Sequence, residues 1–369
     1  MVSRVLNPGL TPVATSSYLI DISHNQHVII HIIKTMRKIL FYLFLMSYTL
    51  LLAQSNRITV MFYNTENLFD TVDDPDKDDD EYTPVGSRHW TRNRYWTKIG
   101  NLCKVIAAAD EDTAPDIIGL CEVENDSVMV DFTKRSPLRH LEYRYVMTES
   151  ADVRGIDVAF LYRRSSFALI SHESVRIDLT PLSFRPTRDI LHVTGRLPDN
   201  DTVDFYVCHW PSRSGGVEET EPLRMRAAQA VRQSVDSVLR IRHKPYIVIM
   251  GDLNGGCDSP SIRNGLRTES AQSKNEISDT DLVAMMEGVE EGSYRYEGRW
   301  DSYDHFIVSG SFLNGTGCTG VTGVKVFSSG FMLQDDEKYG GHKPMRTYNG
   351  YRYQEGYSDH LPIILYLDY

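Results

Sequence analysis

Cysteine is scarce in this sequence, and the little that is present argues against two classes of protein. The 369 residues include five cysteines, an odd number at wide spacings. No CxxC pair suggests a zinc site, and the spacings are not those of a disulfide framework. Cys121 and Cys208 lie in apolar runs, which predicts buried core thiols. The GxSxG turn of a serine hydrolase is also missing, so that nucleophilic serine chemistry is not expected.

The sequence also lacks an excess of positive charge. Lys and Arg number 39 against 50 Asp and Glu, for a formal net charge of −11. Bulk attraction of nucleic acid needs a basic surface, so this protein does not hold nucleic acid by its overall charge. A local basic patch or a metal ion would have to supply the positive charge at any nucleic-acid site. The apolar content of 41% is ordinary for a soluble globular enzyme.

The apolar run near the N-terminus, residues 39–52, is too short to span a membrane comfortably. It follows a short basic start and precedes the small residue Ala53, which predicts a secretory signal peptide over residues 36–53. An N-terminal membrane anchor is the alternative. Residues 1–35 make a poor targeting sequence and a poor domain, so we interpret them as a misassigned start or a disordered extension.

Cleavage after Ala53 would leave 35 basic and 49 acidic residues, a net charge of −14. The mature protein is expected to be secreted or periplasmic, without stable insertion in a membrane, and monomeric. No internal repeat or clear linker divides residues 54–369, which we therefore expect to form one catalytic domain. Strands alternate there with a few helices, including one with Pro222 in its first turn, in an α/β or α+β layered class.

An acidic stretch, DTVDDPDKDDDEYTP over residues 70–84, has the composition of a calcium loop. It lacks the central Gly and the terminal Glu of an EF-hand. We interpret it as a solvated loop, with a structural Ca²⁺ site as the alternative.

Polar residues of the kinds that bind metals or transfer protons recur where apolar strands end or begin. They are Asn64, Glu66, Glu122, His209, Asp252, Asn254, Asp304, His305, Asp359 and His360. Any one of them could be a turn residue or a half-buried side chain. Turns, however, use Gly, Asn, Asp or Pro rather than Glu and His. Strand ends gathered at one edge of a sheet would give a rigid place for a site.

The motifs FYNTEN, GLCEVEN, CHWPSR, GDLNG, YDHFIVS and SDHLPI occur in this order over roughly residues 57–369. Together they resemble the endonuclease/exonuclease/phosphatase superfamily, which has the deoxyribonuclease I-like fold. NTENLF and HWPSRSGG further resemble secreted bacterial members. The resemblance implies an α/β fold, a four-layer sandwich of two packed mixed β-sheets flanked by helices. It also implies a metal-dependent phosphoric ester hydrolase that uses Mg²⁺, or Mn²⁺ in its place.

The resemblance further implies which residues hold the metal ion. Glu122 would be the main ligand, and Asn64 beside it would bind the metal or the substrate phosphate. Asp359 would reach the same ion directly or through water, and Glu66 is a further candidate ligand. Hard divalent cations prefer oxygen ligands and keep several waters, so a small number of carboxylates suffices.

The remaining matches would perform catalysis. Asp252 would orient or deprotonate the attacking water, and Asn254 would donate to a phosphoryl oxygen. His360 would contact the phosphate and transfer a proton, with Asp304 holding its tautomer and raising its pKa. His209 would stabilise the phosphoryl oxygens or protonate the leaving group. The sequence leaves open which of these residues is the base and which is the acid.

Substrate binding is less well defined by the sequence. Arg213 in HWPSRSGG is a candidate bidentate phosphate clamp, and a solvated loop arginine is the alternative. We expect a nuclease that degrades nucleic acid outside the cell. The alternative is a phosphatase or phospholipase C-type hydrolase of lipid, inositol or sugar phosphates. A non-catalytic binding module on the same fold would usually have lost ligands, and here the ligand set is complete.

Overall fold

The computed structural model describes residues 31–44, 57–110, 113–180, 182–272, 276–315 and 319–369. The chain divides into two units, Met1–Asn56 and Arg57–Tyr369. In the first unit, residues 31–44 form a helix with exposed side chains. Residues 1–30, the end of the expected signal peptide with Ala53, and Cys318 lie outside the described residues. No described helix combines the length and the apolarity needed to cross a membrane.

Strands and short helices follow one another along the second unit. Its described strands are β1 (Arg57–Leu68), β2 (Ile117–Val123), β3 (Arg144–Met147), β4 (Asp157–Tyr162), β5 (Ala168–Val175), β6 (Ile190–Arg196), β7 (Thr202–His209), β8 (Tyr246–Asp252), β9 (Thr268–Ser270), β10 (Leu282–Ala284), β11 (Tyr294–Tyr296), β12 (Arg299–Asp301), β13 (Asp304–Ser309), β14 (Gly320–Val326), β15 (Leu333–Asp335), β16 (His342–Pro344), β17 (Tyr348–Asn349), β18 (Arg352–Tyr353) and β19 (Ile363–Asp368). Its α-helices are α1 (Arg92–Ala108), α2 (Asp126–Val130) and α3 (Val217–Ile241). Single turns of 3₁₀-helix span Asp80–Tyr82, Pro137–Leu141, Gly310–Phe312 and Gly330–Met332, and π-turns span Asp131–Arg135 and Ser261–Leu266.

Two large sheets contain most of these strands. Within the described residues, one sheet has the order β14-β19-β1-β2-β4-β3 and the other β5-β6-β7-β8-β13-β10-β9. The pairs β1–β2, β7–β8 and β9–β10 are parallel and the other neighbours are antiparallel, so both sheets are mixed. Strands β1, β2 and β4 of the first sheet pack on β6, β7 and β8 of the second.

The period-two alternation of a strand explains how the second sheet is buried on both faces. On β7, Phe205 and its alternate neighbours face the core between the sheets. Tyr206 and Cys208 face a second core, beneath helix α3. The helix contributes Ala228, Val231 and other apolar residues of one stripe to this second core. Helix α1 buries its own apolar stripe in the core of the first sheet. The expected four-layer α/β sandwich is confirmed.

Helix α3 begins earlier than the sequence suggests. It starts at Val217 rather than near Pro222, which lies inside the helix. Gly216, at φ 120°, occupies the N-cap, and Glu218 and Glu219 lie in the first turn. Acidic side chains in the first turn interact favourably with the positive N-terminal end of the helix dipole. This interaction stabilises a helix that begins at Val217.

Strand direction brings the ends of the first sheet together. β1 and β2 are parallel, with Asn64 opposite Cys121, so Asn64 and Glu122 lie at the same edge. β19 runs antiparallel to β1, with Ile363 opposite Phe62. The segment just before β19, which carries His360, therefore starts at that same edge.

The second sheet repeats this arrangement. β7 and β8 are parallel, and His209 is the direct partner of Asp252. β13 runs antiparallel to β8, so its first residue, Asp304, also lies opposite Asp252. Strand ends from both sheets thus supply the predicted catalytic residues.

Replacing Phe160 with alanine is expected to cost about 3–5 kcal/mol in the free energy of unfolding, the range for large buried aromatics. Phe160 lies fully buried on β4, with its ring centroid 5.3 Å from Phe167 and 5.2 Å from Phe205 of the other sheet. Urea unfolding measures the loss. The same change at Ile170, 54% exposed on β5, is the control and should leave stability nearly unchanged. Equal losses at both positions would contradict the packing described.

A buried polar cluster on β6 and β7 is expected to make stability depend on pH. The two ring nitrogens of His192 lie 3.0 Å from Glu173 Oε1 and 3.1 Å from Asp204 Oδ1. The ring also stacks on Tyr206 with centroids 4.4 Å apart. Burial alone would lower the pKa of His192, but the hydrogen bonds to Asp204 and Glu173 hold it above its ordinary value. Burial would likewise raise the pKa of Asp204, which His192 and Arg242 hold below its ordinary value.

The His192 contribution should be fully present below its unfolded-state pKa of about 6.5 and lost as pH rises through the raised folded value. The Asp204 contribution should be present above about pH 4 and lost as pH falls through its lowered folded value. We therefore expect His192→Gln to destabilise the protein more at about pH 5 than at about pH 9, as measured by urea unfolding. His172→Gln, on the exposed part of β5, is the control. A loss from His192→Gln that does not change with pH would contradict this prediction.

Candidate active site

Glu122 is aimed into the site by an irregularity at the end of β2. The pairing of β2 with β4 shifts register between Cys121 and Val123, so Glu122 lies at a bulge. The pairing of β1 with β2 also shifts, between Asn64 and Leu68 of β1. Its backbone has φ 60°, in the left-handed region that residues other than Gly rarely adopt. Its Oε2 accepts a 2.8 Å hydrogen bond from the Asn67 amide. Bulges and positive φ are concentrated at functional sites, where they re-aim a side chain.

His209 lies between two carboxylates. Its Nε2 is 3.8 Å from Glu122 Oε1 and 3.8 Å from Asp252 Oδ2. Burial, reinforced by the guanidinium groups of Arg188 and Arg154, lowers the pKa of His209 well below its ordinary value. The imidazole is therefore neutral at physiological pH. Its Nδ1 is buried with no hydrogen-bond partner among the described residues, which favours the tautomer with the proton on Nε2, facing the carboxylates.

His360 and Asp304 form a direct pair at the same edge. His360 Nδ1 is 2.7 Å from Asp304 Oδ2, and His360 Nε2 is 3.7 Å from Asp252 Oδ2. Burial alone would lower the pKa of His360, but Asp304 and Asp252 hold it well above its ordinary value. His360 is therefore an imidazolium at neutral pH. Burial raises the pKa of Asp252 to about 7, with His360 opposing that rise.

Two asparagines complete this cluster. Asn64 Nδ2 donates to Asp252 Oδ2 at 3.1 Å, while Asn64 Oδ1 accepts from the Glu66 amide at 3.0 Å. Asn254 has φ 51°, its amide nitrogen donates to Asp252 Oδ1 at 3.0 Å, and its Nδ2 donates to the Trp210 carbonyl at 3.1 Å. The structure thus links seven of the predicted residues through direct contacts. They are Asn64, Glu122, His209, Asp252, Asn254, Asp304 and His360.

The other two candidate ligands, Glu66 and Asp359, belong to a neighbouring ion-pair group. Arg346 donates to Glu66 Oε1 at 3.1 Å and to Asp359 Oδ2 at 2.9 Å. The Thr347 amide donates to Glu66 Oε2 at 2.6 Å, and the buried Lys98 ammonium lies 3.8 Å from it. Burial raises the pKa of Glu66 and lowers the pKa of Lys98 to about 8. Both carboxylate oxygens of Glu66 therefore accept hydrogen bonds from protein donors. Metal binding by Glu66 stays a prediction.

Arg213 contacts an aromatic column that leads to His360. Arg213 Nη1 donates to the Tyr303 hydroxyl at 2.8 Å, and its guanidinium lies 4.8 Å from the Tyr303 ring centroid. Tyr303 stacks on Tyr294 at 5.2 Å, and the Tyr294 ring lies 4.8 Å from that of His360.

His305, in contrast, is fully buried, and its Nε2 lies 2.6 Å from the Gly255 carbonyl, so of this pair only the adjacent Asp304 contacts the cluster.

Several residues next to the site had no signal in the sequence. They are Asn67, Lys98, Arg154, Arg188, Tyr294 and Arg346. Asn67 lies near the end of β1, Lys98 in helix α1 and Tyr294 on the short strand β11. Arg154, Arg188 and Arg346 lie in loops, and hydrophobic periodicity marks none of the six. The stretch from Gly341 to Gly356, which carries Arg346, reads in sequence as a polar loop. Arg346 is one of several cations in this stretch, and the sequence does not indicate that its side chain contacts Glu66 and Asp359.

The site chemistry fits a hard divalent cation. Two carboxylates, Glu122 and Asp252, lie within 3.8 Å of one neutral imidazole, so their negative charge is not balanced by His209. Oxygen donors of this kind are what Mg²⁺ and Mn²⁺ prefer. Ligand atoms of Asp252, Asp304 and His360 also lie within 4.8 Å of one another, as the one group of three in the described residues. Within that group, Asp304 and His360 bond each other at 2.7 Å.

The acidic stretch is ordered largely by bonds to its own backbone. Asp70 Oδ1 accepts from the Val72 amide and Asp74 Oδ1 from the Asp76 amide, at 2.6 and 3.0 Å. The buried Asp79 accepts from the Asp74 amide. These contacts are typical of aspartate turns. The structural Ca²⁺ alternative stays a prediction.

Comparison with known proteins decides the family. The sequence model described as the Endonuclease/Exonuclease/phosphatase family matches residues 59–369. The chain belongs to this family. It is therefore a metal-dependent phosphoric ester hydrolase, and the predicted resemblance to this family is confirmed; the resemblance to secreted bacterial members stays a prediction. No curated protein matches the sequence.

Solved structures of this family share the fold at low sequence identity. TDP2 of D. rerio, complexed with single strand DNA product, matches with a TM-score of 0.51 and 13% identity, covering 85% of this chain and 99% of that chain. The mannosyl-6-phosphatase Bt3783 of Bacteroides thetaiotaomicron matches at 0.52 and 15%, covering 85% and 100%. The catalytic domain of human Nocturnin, with bound sulfate anion, matches at 0.51 and 14%, covering 85% and 93%. At these identities the likeness establishes the fold alone.

Proposed function

We propose that this family member is a secreted or periplasmic phosphodiesterase that hydrolyses nucleic acid, acting as a monomer. The observation that carries the chemistry is the continuous contact from Glu122 through His209 and Asp252 to His360. Export is supported by the sequence of residues 36–53. Nucleic acid is supported by the cationic and aromatic side chains beside the site and by the single strand DNA product bound to D. rerio TDP2.

Asp252 and His360 have complementary protonation states. With a pKa raised to about 7, Asp252 is poised to accept a proton from the attacking water near neutral pH. The His360 imidazolium, held by Asp304, presents its Nε2 proton toward the same space and can donate to a phosphoryl oxygen. Neutral His209 offers its Nε2–H to the phosphoryl group or the leaving oxygen.

Glu122 and Asn64 would hold the metal ion, and Asp359 would reach it directly or through water. When bound, Mg²⁺ or Mn²⁺ would supply positive charge that stabilises the developing charge on the phosphoryl oxygens. The Asn254 side-chain amide has two N–H donors. One donates to the Trp210 carbonyl, and the other is available to the phosphoryl oxygens. The residues thus place donors around the phosphate and an acceptor beside the water.

A pocket next to the metal side favours a second candidate, a phosphatase of sugar phosphates. It has a volume of about 170 Å³ and is polar, with walls that include Glu66, Arg88, Arg346 and Tyr348. Asn67, which also lines it, is the residue whose amide bonds Glu122. A small polyhydroxy group would suit this size and these donors better than a continuous strand. The Bacteroides neighbour is named as a mannosyl-6-phosphatase, which supports the same candidate.

A substrate panel distinguishes these candidates. Purified protein would be incubated with plasmid DNA, RNA, sphingomyelin, inositol phosphates and mannose 6-phosphate, each with Mg²⁺ and with chelator. We expect Mg²⁺-dependent degradation of nucleic acid and no release of phosphate from the small substrates. Release of inorganic phosphate from a sugar phosphate, with intact DNA and RNA, would replace the nuclease by the second candidate.

A further inference from the structure

Arg154 lies in a loop and brings its guanidinium group to the site. The catalytic roles proposed above do not involve this residue. Its Nη2 lies 3.8 Å from Glu122 Oε2, and it donates a hydrogen bond to Asn67 Oδ1. The side chain is 43% exposed, so it faces open space as well as the site. Within the described part of the chain, no carboxylate accepts a hydrogen bond from this guanidinium. Its N–H groups are therefore available to an anion that enters the site.

The loop between β3 and β4, residues 148–156, is built to hold this position. Asp152 Oδ1 accepts from the Arg154 amide at 3.0 Å, and the Asp152 carbonyl accepts from the Gly155 amide at 3.1 Å. Asp152 Oδ2 accepts from the buried Arg188 at 3.3 Å. Arg188 also donates to the Trp210 carbonyl at 2.8 Å, directly after His209. The loop is thus tied to the strand end that carries a catalytic histidine.

The acidic stretch braces the other side of this loop. Lys77, the one cation among residues 70–84, donates from Nζ to the carbonyls of Ser150 and Asp152, at 3.2 and 3.0 Å. The Asp78 amide donates to the Val153 carbonyl at 2.7 Å. Gly155, at φ 72°, lies so close that an added Cβ would be 3.1 Å from Lys77 Cγ. This segment therefore fixes the loop at the residue on either side of Arg154.

We propose that Arg154 binds a phosphoryl oxygen of the substrate, and that Lys77 is a positioning residue that acts through Arg154. The inference rests on the proposed phosphodiesterase function and adds a phosphate-binding residue to it. A planar guanidinium can donate two parallel hydrogen bonds to phosphate, which lysine cannot. Placed beside Glu122, these donors reach the side of the phosphate where the metal would bind. Through Lys77, the acidic stretch then helps to orient the Arg154 guanidinium.

The test compares Arg154→Ala and Arg154→Lys with wild type on bis(4-nitrophenyl) phosphate and Mg²⁺. Loss of a charge-assisted hydrogen bond should lower kcat/KM by about 10- to 100-fold for alanine, with partial recovery for lysine. Competitive inhibition by inorganic phosphate should weaken in parallel. Arg164→Ala, an exposed arginine after β4, is the matched control and should behave as wild type. Unchanged kinetics and unchanged phosphate inhibition in Arg154→Ala would overturn the proposal.

Lys77→Met tests the positioning role through a double-mutant cycle. If Lys77 acts through Arg154, the Lys77→Met/Arg154→Ala pair should lose no more kcat/KM than Arg154→Ala alone. Losses that add would overturn the positioning role, because a purely structural effect is independent of Arg154. Thermal unfolding confirms that each variant is folded. A wild-type protein that hydrolyses no substrate would refute the proposed function, and calorimetric binding of phosphate with Mg²⁺ would still decide the role of Arg154.

Discussion

Replacing His360 with alanine is expected to lower kcat for phosphodiester hydrolysis by about 10²–10⁴-fold, the usual contribution of a general acid–base group. The imidazolium is paired with Asp304 at 2.7 Å and faces Asp252 at 3.7 Å, so its loss removes the cation nearest to the catalytic carboxylate. It also leaves Asp304 buried beside no partner. Steady-state kinetics on bis(4-nitrophenyl) phosphate measure the effect.

The matched control is His172→Ala, an exposed histidine on β5 of the same sheet as Asp304. It should retain wild-type kcat and KM. Circular dichroism checks that His360→Ala is folded. A folded His360→Ala protein with wild-type kcat would remove His360 from the mechanism proposed above.

Replacing Glu122 with glutamine is expected to lower activity by on the order of 10³-fold and to raise the Mg²⁺ concentration needed for half-maximal activity. A metal supplies several kcal/mol of charge stabilisation, and each 1.36 kcal/mol is a factor of ten in rate. Loss of even a ligand's supporting partner weakens metal binding by about 10–100-fold, so loss of the carboxylate itself should weaken it at least as much. Mg²⁺ titration of activity and calorimetry with Mn²⁺ measure the two effects separately.

Glu337→Gln, an exposed carboxylate in the loop between β15 and β16, is the control and should leave both quantities unchanged. Removal of metal by chelator should silence the wild-type protein, and added Mg²⁺ should restore it. If Glu122→Gln binds Mn²⁺ as tightly as wild type, the metal lies elsewhere. The group of Asp252, Asp304 and His360 would then be the first place to look for it.

The sequence predicted most of the residues that meet at this edge of the sheets, because strand ends are visible in it. An apolar run that stops at Glu122 or at His209 shows both the strand and the residue beyond it. The order of the motifs along residues 57–369 then indicated the family and, through it, the two-sheet fold. Helix α3 begins before the position that Pro222 predicts, because Gly216 occupies the N-cap and Pro222 lies inside the helix.

The residues that were missed act through charge rather than through periodicity. Arg154 and Lys98 approach Glu122 and Glu66 across more than thirty residues of sequence, and Arg346 contacts Glu66 from 280 residues away. Nothing in a short window of sequence distinguishes them from solvated cations. The Glu122 bulge was equally hidden, since register shifts depend on how two neighbouring strands pair.

By itself, the sequence determined the residue types, the strands that carry them and the chemistry they can perform. Only the tertiary structure decided which side chains share a proton or a cation. It paired Asp359 and Glu66 with Arg346 and set Arg154 beside Glu122. The physical reason is that electrostatic and hydrogen-bonding partners are chosen by distance in space, and strand pairing and loop anchoring fix that distance between residues far apart in the chain.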